Sequence, residues 1–206
     1  SSFVEYLNKK KAVELVHPDI IHFSTVADDD QATAEVAMQY NDSYNELILS
    51  FANNIHTTDG GTHEEGFKRS LTRVMNDYAR KYNLLKDSDK NLTGDDVREG
   101  LTVVISIKVK DAQFEGQTKA KLGNTEISGL VSNMMNDKLS TYLEENPATT
   151  RAIFDKALAA SRAREAARKA KDMVRRKSAL ESAALPGKLA DCQSKNPEES
   201  ELYIVE

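Results

Sequence analysis

Apolar and polar residues alternate along three segments of the chain, and this period of two predicts β-strands. The clearest segment is Leu101–Val109, whose odd positions are all apolar while its even positions are mostly polar, so one face belongs to a core and the other is partly wet. Shorter alternating segments at 34–40 and 47–51 flank the turn residues Asn41-Asp42-Ser43, and we predict that they pair as a hairpin. Residues 19–26 are a further predicted strand.

Helices are predicted where apolar residues recur every three or four positions. The sequence Thr62-His63-Glu64-Glu65 has the pattern of a capping box, and the spacing behind it predicts a helix of about 20 residues. A short second helix is predicted to begin at Thr93-Gly94-Asp95-Asp96 and to end at Gly100. Residues 1–18 are a polar segment with weak helical character, and residues 111–124 have few apolar anchors and are predicted to form a loop.

The last third of the chain is predicted to be mostly helical. One helix covers residues 127–146 and stops before Pro147. The next, from 149 to about 180, has a narrow stripe made mainly of alanine. Such a stripe lets another helix or backbone come close but buries little area. We interpret this helix either as an arm that joins one domain to the next or as an ordinary surface helix.

Composition narrows the class of protein. The 206 residues are 30% charged, and no apolar run approaches the ~18 residues that a membrane span needs, which excludes a membrane protein. The only cysteine is Cys192, so a disulfide framework and a multi-cysteine zinc site are excluded, and a reducing, cytoplasmic location is expected. The chain lacks an initial Met and stops inside an apolar run, so we expect it to be cut from a longer protein.

Charge is unevenly distributed along the chain. Residues 149–181 carry ten Lys or Arg and four Asp or Glu, a net charge of +6, whereas residues 1–148 carry −8. An acidic body argues against a general nucleic-acid-binding domain, which would be basic overall. The basic helix at 149–181 is either a stand-alone nucleic-acid-binding module or a solvated helix face.

Few residues have the pattern of a catalytic or metal site. His56 and His63 match no zinc spacing, and neither a catalytic triad nor a glycine-rich nucleotide loop is present. In the segment 115–121, Gly116 permits unusual backbone angles, Lys119 is a cation on a flexible stem, and Gln117 is a hydrogen-bonding amide. This loop either contacts a phosphate or is simply solvated.

Several strings together identify a known family. Residues 59–67 and 93–101, the string Gln117-Thr118-Lys119 followed by Lys121-Leu122-Gly123, and residues 162–168 and 185–192 resemble, in the same order, segments of the DNA gyrase B family. Glu206 resembles the first residue of that family's Glu-Gly-Asp-Ser motif. The resemblance implies a fragment of an ATP-dependent type IIA DNA topoisomerase, with the B-type protein of topoisomerase IV as the alternative.

The resemblance also implies a fold and a domain order. The expected fold is α+β, a mixed sheet of about four strands covered by helices, with a left-handed βαβ crossover and a long C-terminal helix that projects. Residues 1–18 would link to an upstream ATPase domain, 19–182 would be the transducer domain, and 183–206 would begin the toprim domain.

The site residues follow from the same resemblance. Lys119 would contact the γ-phosphate of ATP held by the upstream domain, with Gln117 and Thr118 beside it. Glu206 would be one ligand of an incomplete Mg²⁺ site. Expected partners are DNA, the gyrase A protein, the two flanking domains and a second copy of gyrase B, with no membrane. From charge on the polar helix face, Lys68, Arg69 and Arg73 are candidates to contact DNA. The isolated fragment is expected neither to bind nor to hydrolyse ATP.

Overall fold

A computed structural model describes residues 2–28, 31–86, 88–182, 196 and 198. It contains a five-stranded mixed sheet, a separate two-stranded pair and five α-helices among these residues. In chain order the elements are α1 Ser2–Lys11, β1 Ile21–Val26, β2 Ala32–Tyr40, β3 Leu47–Ala52, β4 Ile55–His56, α2 Thr62–Lys81, α3 Gly94–Arg98, β5 Leu101–Val109, β6 Phe114–Glu115, β7 Lys121–Leu122, α4 Thr125–Glu145 and α5 Pro147–Ser182.

The sheet has the strand order β1-β2-β5-β3-β4. Strands β3 and β5 are parallel neighbours joined through α2 and α3, whereas the other pairs are antiparallel. The expected α+β fold with a mixed sheet is therefore confirmed, with five strands where about four were predicted. The handedness of the crossover stays an expectation.

The predicted hairpin of β2 with β3 is wrong. Strand β5 lies between them, and β2 instead forms a hairpin with β1. The physical reason is that alternation fixes which face a side chain takes but not which strand lies beside it. Leu101, Val103, Ile105 and Ile107 of β5 are fully buried, and a strand so covered takes the middle of the sheet.

One face of the sheet is covered by α2 and α4, which pack closely against each other. Phe67, Leu71 and Met75 of α2 and Val131 and Met135 of α4 are at most 1% exposed. The helical spacing of apolar residues, with Phe67 and Leu71 in α2 and Val131 in α4, was the sequence signal for these helices. Burial of several large side chains, at about 1.5 to 3 kcal/mol each, holds this layer to the sheet.

Helix α1 packs against the opposite face through buried amides. Asn8 donates to Gln39 Oε1 at 2.8 Å, and Asn41 donates both to Asn8 Oδ1 and to Thr102 Oγ1 at 3.1 Å. The chain from residue 1 to 18 thus contains a helix hydrogen-bonded to the sheet. Its expected role as a linker to another domain stays a prediction.

The capping box expected at Thr62 is wrong. The residue before α2 is Gly61, no side chain caps the helix, and the buried hydroxyl of Thr62 has no hydrogen-bond partner in the described part of the chain. The reason is the close packing of Gly61 against β7, described below. The start predicted at Thr93 is confirmed: Asp96 N donates to Thr93 Oγ1, Thr93 N donates to Asp96 Oδ2, and Gly100 follows the helix with a φ of +72°.

The chain divides into two compact units, Ser1–Arg162 and Ala163–Glu206. In the second unit, the side chains at 163–175 of α5 are exposed, and Lys169 forms an ion pair with Glu165 at 3.1 Å. The expected domain boundary near 182 lies where the continuous description ends and stays a prediction. None of the described helices combines the length and the apolar character that crossing a membrane requires.

Candidate functional site

Residues 114–122, which we call the Lys119 hairpin, form an ordered turn where a loop was predicted. Strands β6 and β7 are antiparallel, with Phe114 opposite Leu122 and Glu115 opposite Lys121. Gly116 has a φ of +77°, in the region that glycine adopts most readily, which agrees with the permissive backbone expected at this position. The hairpin therefore presents residues 116–120 as its tip.

The tip carries the three residues that the sequence singled out. Gln117, Thr118 and Lys119 are exposed, and among the described residues none of their side chains forms a hydrogen bond or ion pair. The Lys119 ammonium lies 5.9 Å from the centroid of the Phe114 ring. The backbone of Lys119 has a φ of +53°. A non-glycine residue in this region costs about 1 kcal/mol or more, and such strain is common at ligand-binding positions.

The two lysines of the hairpin differ in their partners. Lys121 Nζ lies 3.1 Å from Glu115 Oε2, and this hydrogen bond raises the pKa of Lys121. Lys119 has no carboxylate partner in the part of the chain that the structure describes. The ammonium of Lys119 is therefore the one in this hairpin that is available to bind an external anion.

The base of the hairpin is held at both arms. On the β6 side, buried Asn124 accepts from Gln113 N at 2.7 Å and donates to Asp111 O at 3.1 Å. On the β7 side, Leu122 is fully buried and its N–H donates to Gly60 O at 3.2 Å. The exposed tip is thus mounted on a buried, hydrogen-bonded base.

The first turn of α2, next to this base, contains a buried polar cluster. His63 is fully buried, and its Nε2 lies 3.1 Å from Thr57 Oγ1. Burial lowers the pKa of His63 to about 4, against the opposing effect of the Glu64 carboxylate. Glu64 in turn accepts from Ser50 Oγ at 3.0 Å and pairs with Lys68 Nζ at 2.7 Å. His63 is therefore a neutral structural residue at pH 7.

The three DNA-contact candidates line one groove of about 670 Å³, which we call the basic groove. Arg98 of α3 also lines it. Arg69 and Arg73 have no ion pair among the described residues, whereas Lys68 is paired with Glu64. Arg98 is paired with Glu46 and Asp95. Glu65 and Asp77 also line the groove, so among the described residues its cations without an ion pair are Arg69 and Arg73.

Metal-binding candidates gain no support within the described chain. His56 is exposed on β4 and His63 is buried in α2, and no group of three His, Cys, Asp or Glu side chains in the described ranges could hold a metal ion. Glu206, the predicted Mg²⁺ ligand, lies outside the described residues.

Three residues with a part in these sites were missed by sequence reasoning. Gly61 is bridged to Leu122 at the hairpin base, Asn124 holds the opposite arm, and Arg98 joins the basic groove. The pair of glycines before a helix is a sequence signal of unusual backbone geometry. Nothing local to Asn124 or Arg98 indicates which part of the chain it meets.

Comparison with known proteins gives the class to which this fold and hairpin belong. The 43K ATPase domain of Thermus thermophilus gyrase B superposes with a TM-score of 0.76 at 38% identity, over 84% of this chain and 45% of that one. The topoisomerase IV ATP-binding domain of Francisella tularensis gives a TM-score of 0.63 at 29% identity, over 77% of this chain and 42% of that one. The fold is thus that of domains from type II topoisomerases.

The sequence comparison is more specific. The family model for DNA gyrase B matches residues 1–173. The DNA gyrase B protein of Clostridium acetobutylicum is 60% identical over 205 residues, which are 100% of this chain and 32% of that relative. The chain belongs to the DNA gyrase B family, and it spans about a third of the length of the curated relatives it matches.

Proposed function

We propose that this chain is the transducer segment of a DNA gyrase B protein, and that Lys119 contacts the γ-phosphate of ATP held by the upstream ATPase domain. The observation that carries the proposal is the free, exposed ammonium of Lys119 on a tip whose base is anchored. Gln117 and Thr118 supply an amide and a hydroxyl beside it, and both groups can donate to phosphate oxygens. Such a donor set fits a terminal phosphate.

The chemistry of Lys119 follows from where charge develops. ATP supplies a transferable γ-phosphoryl group, and its transfer to water spreads negative charge over the phosphate oxygens. A positioned ammonium stabilises that charge more strongly than it stabilises the ground state, so it raises the rate of hydrolysis. The side chains of Gln117 and Thr118 orient the same oxygens.

The same contact serves as a sensor of the nucleotide. Lys119 is attracted to the γ-phosphate and loses that contact once the phosphate has left, so the two nucleotide states favour different domain arrangements. In the complete enzyme this difference drives strand passage and negative supercoiling of DNA, in a cytoplasmic assembly with the gyrase A protein and a second copy of gyrase B. Mg²⁺ would be held in part by Glu206. The isolated segment would neither bind nor hydrolyse ATP.

The decisive experiment is Lys119→Ala in the complete gyrase B protein. Turnover of ATP should fall about 100-fold, as for loss of one charged transition-state contact, while nucleotide affinity changes less than about threefold. Lys121→Ala is the matched control, because it removes the other hairpin ammonium, which is already paired with Glu115. Equal losses in the two variants, or unchanged turnover in Lys119→Ala, would remove Lys119 from the mechanism.

We further propose that the basic groove contacts the transported DNA duplex through Arg69 and Arg73, with Lys68 at its edge. Each phosphate contact contributes about one unit to the slope of log affinity against log salt. Alanine at all three positions should flatten the salt dependence of DNA-stimulated ATP hydrolysis. Alanine at Lys9, Lys10 and Lys11, three exposed lysines of α1, makes the same charge change elsewhere and should leave that slope unaltered.

Two alternatives are weaker. The topoisomerase IV domain is 29% identical to this chain, against 60% for the gyrase B relative, which favours a gyrase. A stand-alone nucleic-acid-binding role for the helix at 149–181 rests only on its exposed basic side chains at 163–175. A gel shift with the isolated chain tests that role, and tight binding would favour it.

A further inference from the structure

The segment 59–61 is hydrogen-bonded through its backbone to residues 120–122, which include strand β7. Asp59 N donates to Ala120 O at 2.9 Å, Leu122 N donates to Gly60 O at 3.2 Å, and Gly61 forms an isolated parallel bridge with Leu122. These contacts join the start of α2 to the hairpin arm that leads directly into Lys119. Because these hydrogen bonds join the two backbones directly, a shift of one should displace the other.

Gly61 is the residue that permits this approach. A Cβ atom built on Gly61 would lie 2.6 Å from Leu122 N and closer still to Leu122 O, which are backbone atoms that cannot rotate away. The φ of Gly61 is +138°, a conformation that side-chain-bearing residues rarely adopt. Any other residue at position 61 must therefore push β7 away or change the path of the chain before α2.

The other arm of the hairpin has its own clamp. Asn124 is 2% exposed and holds Gln113 N and Asp111 O with one amide group. Gly123 N also donates to Gln113 O at 2.8 Å. The contacts of Gly61 and Asn124 hold the two arms of the hairpin, so residues outside the tip determine where the tip lies.

We propose that Gly61 and Asn124 are positioning residues for Lys119, an inference that rests on the proposed contact between Lys119 and the γ-phosphate. Within the described chain the ammonium has no hydrogen-bonded or ionic partner, and the ring near it, that of Phe114, belongs to the hairpin itself, so the base of the hairpin is what locates it. A displacement of about 1 Å at a reacting group can lower a rate about 100-fold, even when the altered residue is remote from the chemistry.

The experiment uses the complete gyrase B protein with Gly61→Ala. We expect kcat for ATP hydrolysis to fall about 10- to 100-fold with KM changed less than about threefold, because the ATP-binding pocket belongs to the upstream domain. Gly129→Ala is the matched control, since a Cβ at this α4 position meets nothing within 4 Å. Equal kcat values for Gly61→Ala and Gly129→Ala would overturn the proposal.

Combination with Lys119→Ala separates positioning from general damage. If Gly61 acts through Lys119, the double variant Gly61→Ala, Lys119→Ala should be no slower than Lys119→Ala alone. If the fold-losses in kcat of the two single variants multiply in the double variant, Gly61 acts independently of Lys119, and the inference is overturned. If Lys119→Ala itself leaves turnover unchanged, the proposed function fails first. If Lys119→Ala slows turnover but Gly61→Ala does not, only this inference fails.

Asn124→Ala is the second variant, for the case that Gly61→Ala does not fold. It releases the opposite arm without adding an atom. It should lower kcat with little change in KM, and its effect should vanish in the presence of Lys119→Ala. An Asn124→Ala protein that is folded and has the wild-type kcat, or one whose loss multiplies with that of Lys119→Ala, contradicts the proposal.

Discussion

Helices α2 and α3 begin with similar sequences but in different ways. Each start has a Thr followed three residues later by an acidic residue, Thr62 with Glu65 and Thr93 with Asp96. At α3 the Thr93 and Asp96 side chains close a capping box. At α2 the residue before the helix is Gly61, no side chain caps it, and the Thr62 hydroxyl is buried without a partner in the described chain.

The difference shows that tertiary packing can stabilise the start of a helix that has no capping side chain. A capping side chain at position 61 would collide with the backbone of Leu122, so the position that usually caps a helix is used to dock the Lys119 hairpin. Helix α2 is stabilised instead by its buried residues, among them Phe67 and Leu71. The start of α3 is stabilised by hydrogen bonds within its own first turn, whereas the start of α2 is stabilised by packing against other segments.

The largest expected effect is on stability at Gly61. Gly61→Ala adds a backbone collision to an unfavourable φ, and these together should cost about 4 kcal/mol in the free energy of unfolding. Gly94→Ala, in the first turn of α3, meets no backbone atom but only the paired Arg98 guanidinium, and it gains helix propensity, so it should change stability by no more than about 1 kcal/mol. Urea unfolding measures both, and equal costs would remove the contrast between the helix starts.

A second effect comes from His63. Its pKa is lowered in the folded chain to about 4 from an ordinary value of 6.5, so the unfolded chain binds more protons between these values. The contribution of His63 to the free energy of unfolding is therefore fully present above pH 6.5 and is lost as the pH drops towards 4, by about 3 kcal/mol in total. Burial also lowers the pKa of His17, which adds a loss in the same direction. Unfolding measured at several pH values should show this loss.

The control for His63 is a second histidine. His63→Gln should remove the part of the pH dependence that comes from His63 and leave that of His17, whereas His22→Gln, which alters an exposed side chain on β1, should retain both. The contrary outcome is that the His63→Gln chain loses stability as steeply as the wild type when the pH falls towards 4. Protonation of His63 would then not destabilise the folded chain.

The smallest expected effect is at the two threonines. Thr93→Val removes a cap and should cost about 1 kcal/mol. The same change at Thr62 replaces a buried, unpaired hydroxyl by a methyl group, so it should be neutral or slightly stabilising. Thermal unfolding of the two variants compares them directly, and a larger loss at Thr62 would mean that its hydroxyl has a partner in solution.

Much of the secondary structure could be predicted because it follows from local periodicity. The alternation along β5 and the helical spacing of Phe67 and Leu71 in α2 both mark burial correctly. The neighbours of each strand could not be predicted, since the pairing of β5 with β2 and β3 joins segments far apart in sequence. The error at Thr62 has the same origin, because the competing contact with Leu122 is not local.

The candidate site was predictable to a similar extent. The exposure of Gln117 and Lys119 agrees with their polar surroundings in the sequence. The residues alone left open a phosphate contact or a solvated loop, and the contact with the γ-phosphate was implied only by the resemblance to the gyrase B family. The anchoring of the hairpin by Gly61 and Asn124 needs three-dimensional contacts between separate segments. A solvated polar loop and a ligand-binding hairpin tip can have the same composition. They differ in whether buried hydrogen bonds hold the base of the hairpin in place.

The amide pairs beneath α1 limit how that helix can move. A purely apolar interface tolerates small sliding, but Asn8 has to face both Gln39 and Asn41. A shift by one helical turn, about 5.4 Å, would leave these groups unpaired at about 1 to 3 kcal/mol each. Helix α1 therefore has one favoured position on the sheet. A force applied to this helix would rotate the sheet together with the helix, because sliding of the helix would break these hydrogen bonds.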